Sequence, residues 1–227
     1  MNQSTVERAN ARPVVSLVAP FFNEEKAVIR FFETVIAALD GLDTPWEIVC
    51  VDDGSEDNTL QHLLTAARGN PAISVLALSR NFGKEAALTA GLESSRGDVV
   101  VVIDADLQDP PTVIGEMLQK WREGYDVVYG VRESRNDESL AKRVTAGGFY
   151  KIFNSLTAVP VPANTGDFRL MVRRFADRLR ELPERTRFMK GLFAWLGYRS
   201  TAVFYHRPGR EEGNSTWSYW KLWNFAL

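Results

Sequence analysis

The segment Val99-Val-Val-Val-Ile-Asp104-Ala-Asp106-Leu-Gln108-Asp109-Pro-Pro111 carries three oxygen-bearing side chains at alternate positions, directly after an apolar run. Alternate residues of an extended or turning backbone face the same way, so Asp104, Asp106 and Gln108 can converge as hard ligands for Mg²⁺ or Mn²⁺. A metal held there would neutralise a diphosphate. The same acids would equally serve to cap a helix that starts after Pro111. Asp52-Asp53-Gly54-Ser55 also follows an apolar run. Carboxylates in that place accept hydrogen bonds from a nucleobase or ribose, or else close a turn and cap a helix. Arg80-Asn-Phe-Gly-Lys84 opens a helical stretch, where free backbone amides and the lysine favour an anion. No Gly-x-x-x-x-Gly-Lys-Ser/Thr occurs in the chain, which disfavours a P-loop nucleoside triphosphatase.

Further along, Arg132, Arg135, Lys142 and Arg143, and again Arg207 and Arg210, are spaced to grip a phosphate; singly, each reads equally as a solvated surface charge. Asp167, in Asn164-Thr-Gly-Asp-Phe-Arg169, is a lone acid after a proline loop and reads as a turn former unless a site lies beside it.

Five short β-rich runs must position these residues: Val14 to Ala19, Glu47 to Val51, Ile73 to Leu78, Val99 to Ile103 and Val127 to Val131. Between them, Glu24 to Leu39, Asn58 to Ala67, Glu85 to Ser94 and Thr112 to Glu123 carry apolar residues at helical spacing, with Asp57 and Pro111 as start signals. Near-continuously apolar strands alternating with helices predict an α/β fold with a mostly parallel sheet covered on both faces. Ligands of such sheets bind beyond the carboxyl ends of the strands, where Asn23-Glu24, Asp52-Asp53, Asp104 and Asp106 fall. Past Gly130 the pattern predicts a helix around Leu140 to Leu156, a proline loop at Val159 to Thr165, helices at Arg173 to Glu181 and Thr186 to Trp195, and a strand at Ser200 to Tyr205.

The chain has 227 residues, 45 % of them hydrophobic and 25 % charged, which fits one large globular domain and excludes a disordered or low-complexity chain. A single cysteine, Cys50, excludes a disulfide framework within one chain and fits a reducing compartment. With only His62 and His206, histidine-based zinc chemistry and a Ser/His/Asp triad are disfavoured. The net charge of −2 conceals an asymmetry: residues 1–131 hold 10 Lys/Arg against 20 Asp/Glu, and residues 132–227 hold 17 against 9. An acidic half suits a metal ion, and a basic half suits phosphate or an anionic surface. No run of about 18 apolar residues and no signal-peptide pattern occurs, so the chain as given is expected to be soluble. Its last residues carry Trp217, Trp220 and Trp223, three of the six tryptophans.

Taken in order, Val-Ala-Pro20-Phe-Phe-Asn-Glu24, Val51-Asp-Asp-Gly-Ser55, Arg80-Asn-Phe-Gly-Lys84, Asp104-Ala-Asp-Leu-Gln-Asp-Pro-Pro111, Gly166-Asp-Phe-Arg-Leu170 and Arg210-Glu-Glu-Gly-Asn-Ser215 resemble the inverting family 2 glycosyltransferases that load sugars onto polyprenyl phosphate. The resemblance is greatest to the bacterial bactoprenol glucosyltransferase branch, which is related to dolichol-phosphate mannose synthase. It runs from about Val14 to the last residue.

The resemblance implies a GT-A, Rossmann-like fold, a UDP-sugar donor, a polyprenyl (undecaprenyl) phosphate acceptor and a divalent metal, Mg²⁺ or Mn²⁺, on Asp104, Asp106 and Gln108. It further implies that Pro20, Phe22, Glu24, Asp52, Asp53, Lys84, Asp104 and Ala105 line the donor site. The acceptor phosphate would meet Arg132, Arg135, Lys142, Arg143, Arg207, Arg210 and Ser215, under a mobile loop from Arg132 to Arg143. Asp104, Asp106 and Asp167 would stand at the reacting centre. The chain would divide into a tail (1–13), a donor part (14–131), an acceptor-side part of the same domain (132–212) and an amphipathic membrane-interface segment (213–227) that includes the three tryptophans. Members of the branch usually continue into two transmembrane helices, which these 227 residues do not include; the place of action would be the cytoplasmic face of the membrane. Phe22 stands where the family more often has Tyr, and Thr216 where a Lys is expected, so a hydroxyl at the donor and a cation at the acceptor are missing. A sugar nucleotidyltransferase and a catalytically inactive nucleotide-sugar or lipid-phosphate binding module are the rival readings. A homo-oligomer is left open, and a nucleic-acid partner is disfavoured for want of a basic face with an aromatic platform.

Overall fold

A computed structural model describes residue 8 and residues 11–133, 165–181 and 198–206. Its centre is a seven-stranded sheet built from β1 (Val15–Phe21), β2 (Trp46–Asp52), β3 (Ile73–Ala77), β4 (Val99–Val102), β5 (Val127–Arg132), β6 (Thr165–Val172) and β7 (Ser200–Tyr205), in the order β3-β2-β1-β4-β6-β5-β7. The five sequence-predicted strands and the run from Ser200 to Tyr205 are all present. Helices α1 (Val28–Asp40), α2 (Thr59–Gly69), α3 (Lys84–Ser94), α4 (Ile114–Arg122, after a short turn at Pro111–Val113) and α5 (Arg173–Glu181) accompany them.

The sequence explains this layout. Val15, Leu17, Val18, Ile48, Val49, Cys50 and Val99 to Ile103 are all fully or almost fully buried, as strands covered on both faces require. The pairs β3–β2, β2–β1 and β1–β4 are parallel, and Phe21 at the end of β1 lies in register with Asp52 at the end of β2. The order of connection reverses between β1 and β4: β2 and β3 are added on one side of β1 and β4 on the other. This crevice is where ligands of open parallel sheets bind.

Helix α1 starts later than its apolar spacing suggests, because residues 23–25 are held by the neighbouring loop. The N–H groups of Asn23, Glu24 and Glu25 donate to Ser55 Oγ, Thr59 Oγ1 and Asp57 Oδ2, while Asn23 Oδ1 accepts from the Glu56 N–H. Asp57 performs the expected start of α2: its Oδ1 accepts the Thr59 N–H at 3.0 Å.

One strand was not foreseen. Residues 165–172, expected to begin as loop, form β6, which pairs antiparallel with both β4 and β5. Gly166, Asp167 and Arg169 interrupt the apolar run that would have marked it, while Phe168, Leu170 and Met171 are fully buried. β6 joins the sheet between β4 and β5, so residues on both sides of position 131 share one sheet. The predicted segments Leu140 to Leu156, Val159 to Asn164 and Thr186 to Trp195 lie outside the described residues. Among the described residues, no helix is long and apolar enough to cross a membrane.

Candidate active site

The carboxyl ends of β1, β2 and β4 and the start of α3 enclose a cleft of about 320 Å³ lined by Pro20, Phe22, Glu24, Asp53, Lys84 and Asp106, with Phe21, Asn81, Gly83, Asp104 and Ala105 completing it. Each acid arrives by the same local logic, a buried strand that ends and leaves its next polar residues at the edge of the sheet.

Asp167 reaches the same place from the opposite direction. Since β6 is antiparallel to β4 and Val102 pairs with Arg169, Asp104, two residues on, and Asp167, two residues back, lie at the same end of the pair. Lys84, the first residue of α3, fills the space between them, with Nζ 2.5 Å from Asp104 Oδ1 and 2.6 Å from Asp167 Oδ2. The contact with Asp167 has the alignment of a hydrogen bond; among the described residues no donor is aligned with the buried Asp104 Oδ1. Behind them Arg169, buried, donates from Nη2 and Nε to the backbone carbonyls of Gly166 and Asp167.

Asp104 and Asp167 therefore flank one ammonium, in a cleft that Glu24 and Asp106 also line. Burial works against the Lys84 charge, but Asp104 and Asp167 outweigh it and hold its pKa above the ordinary lysine value. Burial, and then the negative charges of Asp106, Asp57 and Asp104, push the Glu24 carboxyl up. Burial pushes Asp104 up as well, against the pull of Lys84. The excess of negative charge, with a buried carboxylate oxygen lacking an aligned donor, suits a divalent cation. Among the described residues no three or more His, Cys, Asp or Glu form a metal-holding group. An ion on these carboxylates would be completed by water and phosphate oxygens, as Mg²⁺ is when bound by one or two carboxylates.

The remaining expected residues divide. Asp53 lines the cleft, but both its oxygens are engaged: Oδ1 accepts the Phe82 N–H at 2.8 Å and Oδ2 the Gly83 N–H at 2.9 Å, fixing the loop that starts α3. Asp52 is buried; Oδ2 accepts the Ser55 N–H, and Oδ1 has no hydrogen-bond partner among the described residues. Gln108 does not line the cleft. Backbone alternation stops when Leu107 adopts φ 52°, and the Gln108 N–H turns back to Asp106 Oδ1. Arg132 pairs with Asp109, Nε to Oδ1 at 2.9 Å and Nη2 to Oδ2 at 3.1 Å. Arg135, Lys142, Arg143, Arg207, Arg210, Ser215 and the three tryptophans lie outside the described residues. Asn81, Gly83 and Arg169 were not singled out in the sequence, although each sits inside a quoted motif; nothing in the sequence marked Tyr205, whose hydroxyl donates to Asp109 Oδ1.

An acid-lined cleft at the switch point of a mostly parallel sheet is where open α/β folds take their ligands. The family model "Glycosyl transferase family 2" matches residues 16–180, and the chain belongs to that family. It is 51 % identical over 213 residues to the uncharacterized glycosyltransferase sll0501 of Synechocystis sp., covering 94 % of this chain and 67 % of the relative. It is 43 % identical over 213 residues to the bactoprenol glucosyl transferase of Shigella phage SfV, covering 94 % and 69 %. The chain spans about two thirds of the length of the curated relatives it matches. Among solved structures, the mannosyltransferase PcManGT from Pyrobaculum calidifontis, in complex with GDP-Man and Mn²⁺, has a TM-score of 0.61 at 22 % identity, over 89 % of this chain and 59 % of that one. Glucosyl-3-phosphoglycerate synthase from Mycobacterium tuberculosis, with Mn²⁺, UDP and glucosyl-3-phosphoglycerate, has a TM-score of 0.57 at 22 % identity, over 94 % and 77 %. The expected GT-A type of α/β fold is the fold observed.

Proposed function

We propose that this chain carries out an inverting transfer of a hexose, with glucose the first candidate, from a UDP-sugar to polyprenyl phosphate at the cytoplasmic face of a membrane. The observation that carries the reading is the convergence of Glu24, Asp104, Asp106, Lys84 and Asp167 on one cleft. The likeness to a bactoprenol glucosyl transferase supports the acceptor class.

In the proposed reaction a phosphate oxygen of the acceptor attacks the anomeric carbon as the bond from that carbon to the UDP oxygen breaks. One displacement inverts the configuration. A phosphate monoester with a second pKa near 6 is largely ionised at neutral pH, so the nucleophile needs no strong general base. Asp167, already bonded to Lys84, is therefore an orienting group rather than an obligatory base.

Lys84 opens α3 with its ammonium beside the acids, where a donor diphosphate would take its place among the cation's partners; its charge offsets the negative charge that develops on the leaving group. Asp104 and Asp106 would hold Mg²⁺ or Mn²⁺, which when bound supplies Lewis-acid stabilisation of the diphosphate. Pro20, Phe22 and the loop fixed by Asp53 form the proposed walls for the nucleoside. The basic residues Arg135, Lys142 and Arg143, with Arg207, Arg210 and Ser215, are proposed to meet the acceptor phosphate, and the tryptophans at 217, 220 and 223 to lie at the membrane surface.

Calorimetric titration with UDP, GDP and CDP, each with Mn²⁺ and with chelator, followed by transfer from UDP-glucose to polyprenyl phosphate in detergent, tests the reading. Metal-dependent binding selective for UDP and appearance of glycosylated lipid are expected. Absence of nucleotide binding under every condition would overturn it.

A further inference from the structure

The three-residue knot Asp109, Arg132 and Tyr205 lies outside the cleft and has no role in the reaction as described above. Asp109 is 1 % exposed, yet it is fully partnered: Arg132 forks onto both its oxygens, and the Tyr205 hydroxyl donates to Oδ1 at 2.6 Å. The three residues come from three places, the loop after β4 and the ends of β5 and β7. Arg132 and Tyr205 are register partners in the parallel pair β5–β7. A forked, half-buried arginine–carboxylate pair fixes orientation more strongly than it adds stability.

What the knot touches is the start of β6. A methyl built on Gly166 would stand 3.2 Å from Arg132 Nη2 and 3.7 Å from Asp109 Oδ2, so the guanidinium lies against the backbone immediately before Asp167. Pairing between β5 and β6 is irregular at the same point. Tyr129 pairs with Arg169 and Val131 with Thr165, leaving residues 166–168 of β6 opposite the single residue Gly130. Such bulges re-aim a side chain, and this one contains Asp167. Gly130 gives it room, because a methyl there would stand 2.7 Å from Phe168 Cδ1 and 3.0 Å from Tyr205 Cε1.

We propose that Asp109, Arg132 and Tyr205 are positioning residues that pin the bulge of β6 and thereby aim Asp167 at Lys84 and the reacting centre. The inference rests on the transfer reaction proposed above. It assigns Arg132 an action through Asp167 instead of a grip on the acceptor phosphate, and it gives Tyr205 and Asp109 a part in turnover.

The test is a double-mutant cycle in the full chain, with kcat and KM for polyprenyl phosphate measured for wild type, Arg132→Lys, Tyr205→Phe, Asp167→Asn and Arg132→Lys combined with Asp167→Asn. UDP affinity, read by calorimetry, reports that each variant is folded. Arg132→Lys keeps the charge but loses the fork. It is expected to lower kcat by about 10- to 100-fold, the scale of a misplacement near 1 Å, with KM for the lipid and UDP affinity within about threefold. Tyr205→Phe gives a smaller loss with the same split. The double variant is expected to match Asp167→Asn alone within about twofold, because its target is already gone. A rise in lipid KM at unchanged kcat, or losses that multiply in the double variant, overturns the positioning role while leaving the transfer reading intact. A folded, UDP-binding wild type that transfers nothing overturns the transfer reading itself.

Discussion

Lys84 and Asp167 are 83 positions apart in the chain, and their side chains meet at 2.6 Å. One opens a helix after a parallel strand, and the other arrives on an antiparallel strand from the far side of the sheet. Their meeting point is the middle of an acid cluster. Replacing Lys84 with Ala should lower transfer by about 10²–10³-fold, the usual effect of removing one preorganised charge-stabilising group. It should also tighten Mn²⁺ binding in the absence of nucleotide, since the ammonium competes with a cation for Asp104. Steady-state kinetics and Mn²⁺ titration followed by electron paramagnetic resonance check the pair of effects, and weaker Mn²⁺ binding in the variant would contradict the argument.

Asp106 lines the cleft, and its Oδ1 also accepts the Gln108 N–H that shapes the turn after β4. Asp106→Asn keeps the side chain's size and an acceptor oxygen but removes the charge. Donor affinity with Mn²⁺ present is expected to fall by about 10- to 100-fold or more, given that disturbing even an outer partner of a metal ligand has that effect. Affinity with chelator should change little. Equal metal-dependent affinity in variant and wild type would remove Asp106 from the metal site.

Gly54 has φ 70°, and a methyl on it would stand 2.4 Å from the Arg80 carbonyl carbon and 2.6 Å from the Asn81 nitrogen. Gly83 also has positive φ, 96°, but faces open space. Gly54→Ala should destabilise by roughly 1–2 kcal/mol from the left-handed backbone, plus about 1–3 kcal/mol from overlap, and should weaken UDP binding by displacing the loop that Asp53 holds. Gly83→Ala carries backbone strain without the overlap. Chemical denaturation of the two variants, with UDP titration, gives the ordering, and equal losses would deny the close packing of the two loops.

Asp57 offers a test of pH dependence. Burial tends to raise its carboxyl, but hydrogen bonds from Thr59 and the Glu25 N–H outweigh it and hold it below the ordinary value of 3.8. A depressed carboxylate contributes stability above its unfolded value, and that stability is lost as pH falls through the folded one. Asp57→Ala should cost about 1 kcal/mol at pH 7, as lost helix starts do, and lower Tm by about 2–4 °C. The gap to wild type should shrink as the pH falls below 3.8. Melting curves at neutral and acid pH check the sign, and a gap that widens in acid would reverse it.

Much of the cleft was legible because strand ends and acids coincide there. An apolar run such as Val99 to Ile103 announces a buried strand, and the acids that stop it are left at the edge where ligands bind. The reading failed where local pattern and tertiary role part. Residues 165–172 form a strand because neighbours on both sides supply hydrogen bonds, something no period within their own sequence records. Alternation predicted that Gln108 would join Asp104 and Asp106, and one residue in the left-handed region, Leu107, ended it. Asp53 lines the cleft, and both its oxygens also accept backbone amides, which no local pattern announces. Asp109, Arg132 and Tyr205 meet only after the sheet is assembled; 96 positions separate the aspartate from the tyrosine.

Cys50 lies fully buried in β2, two residues before Asp52, and is the single thiol of the chain. Nothing can label it until β2 loses its cover, and burial raises its pKa further, so the enclosed group stays protonated and unreactive. The protein thus contains its own clock for opening. The rate at which an added thiol reagent modifies it measures how often the strand beneath the cleft is uncovered, and any nucleotide that binds the closed form will slow that rate in proportion to its occupancy.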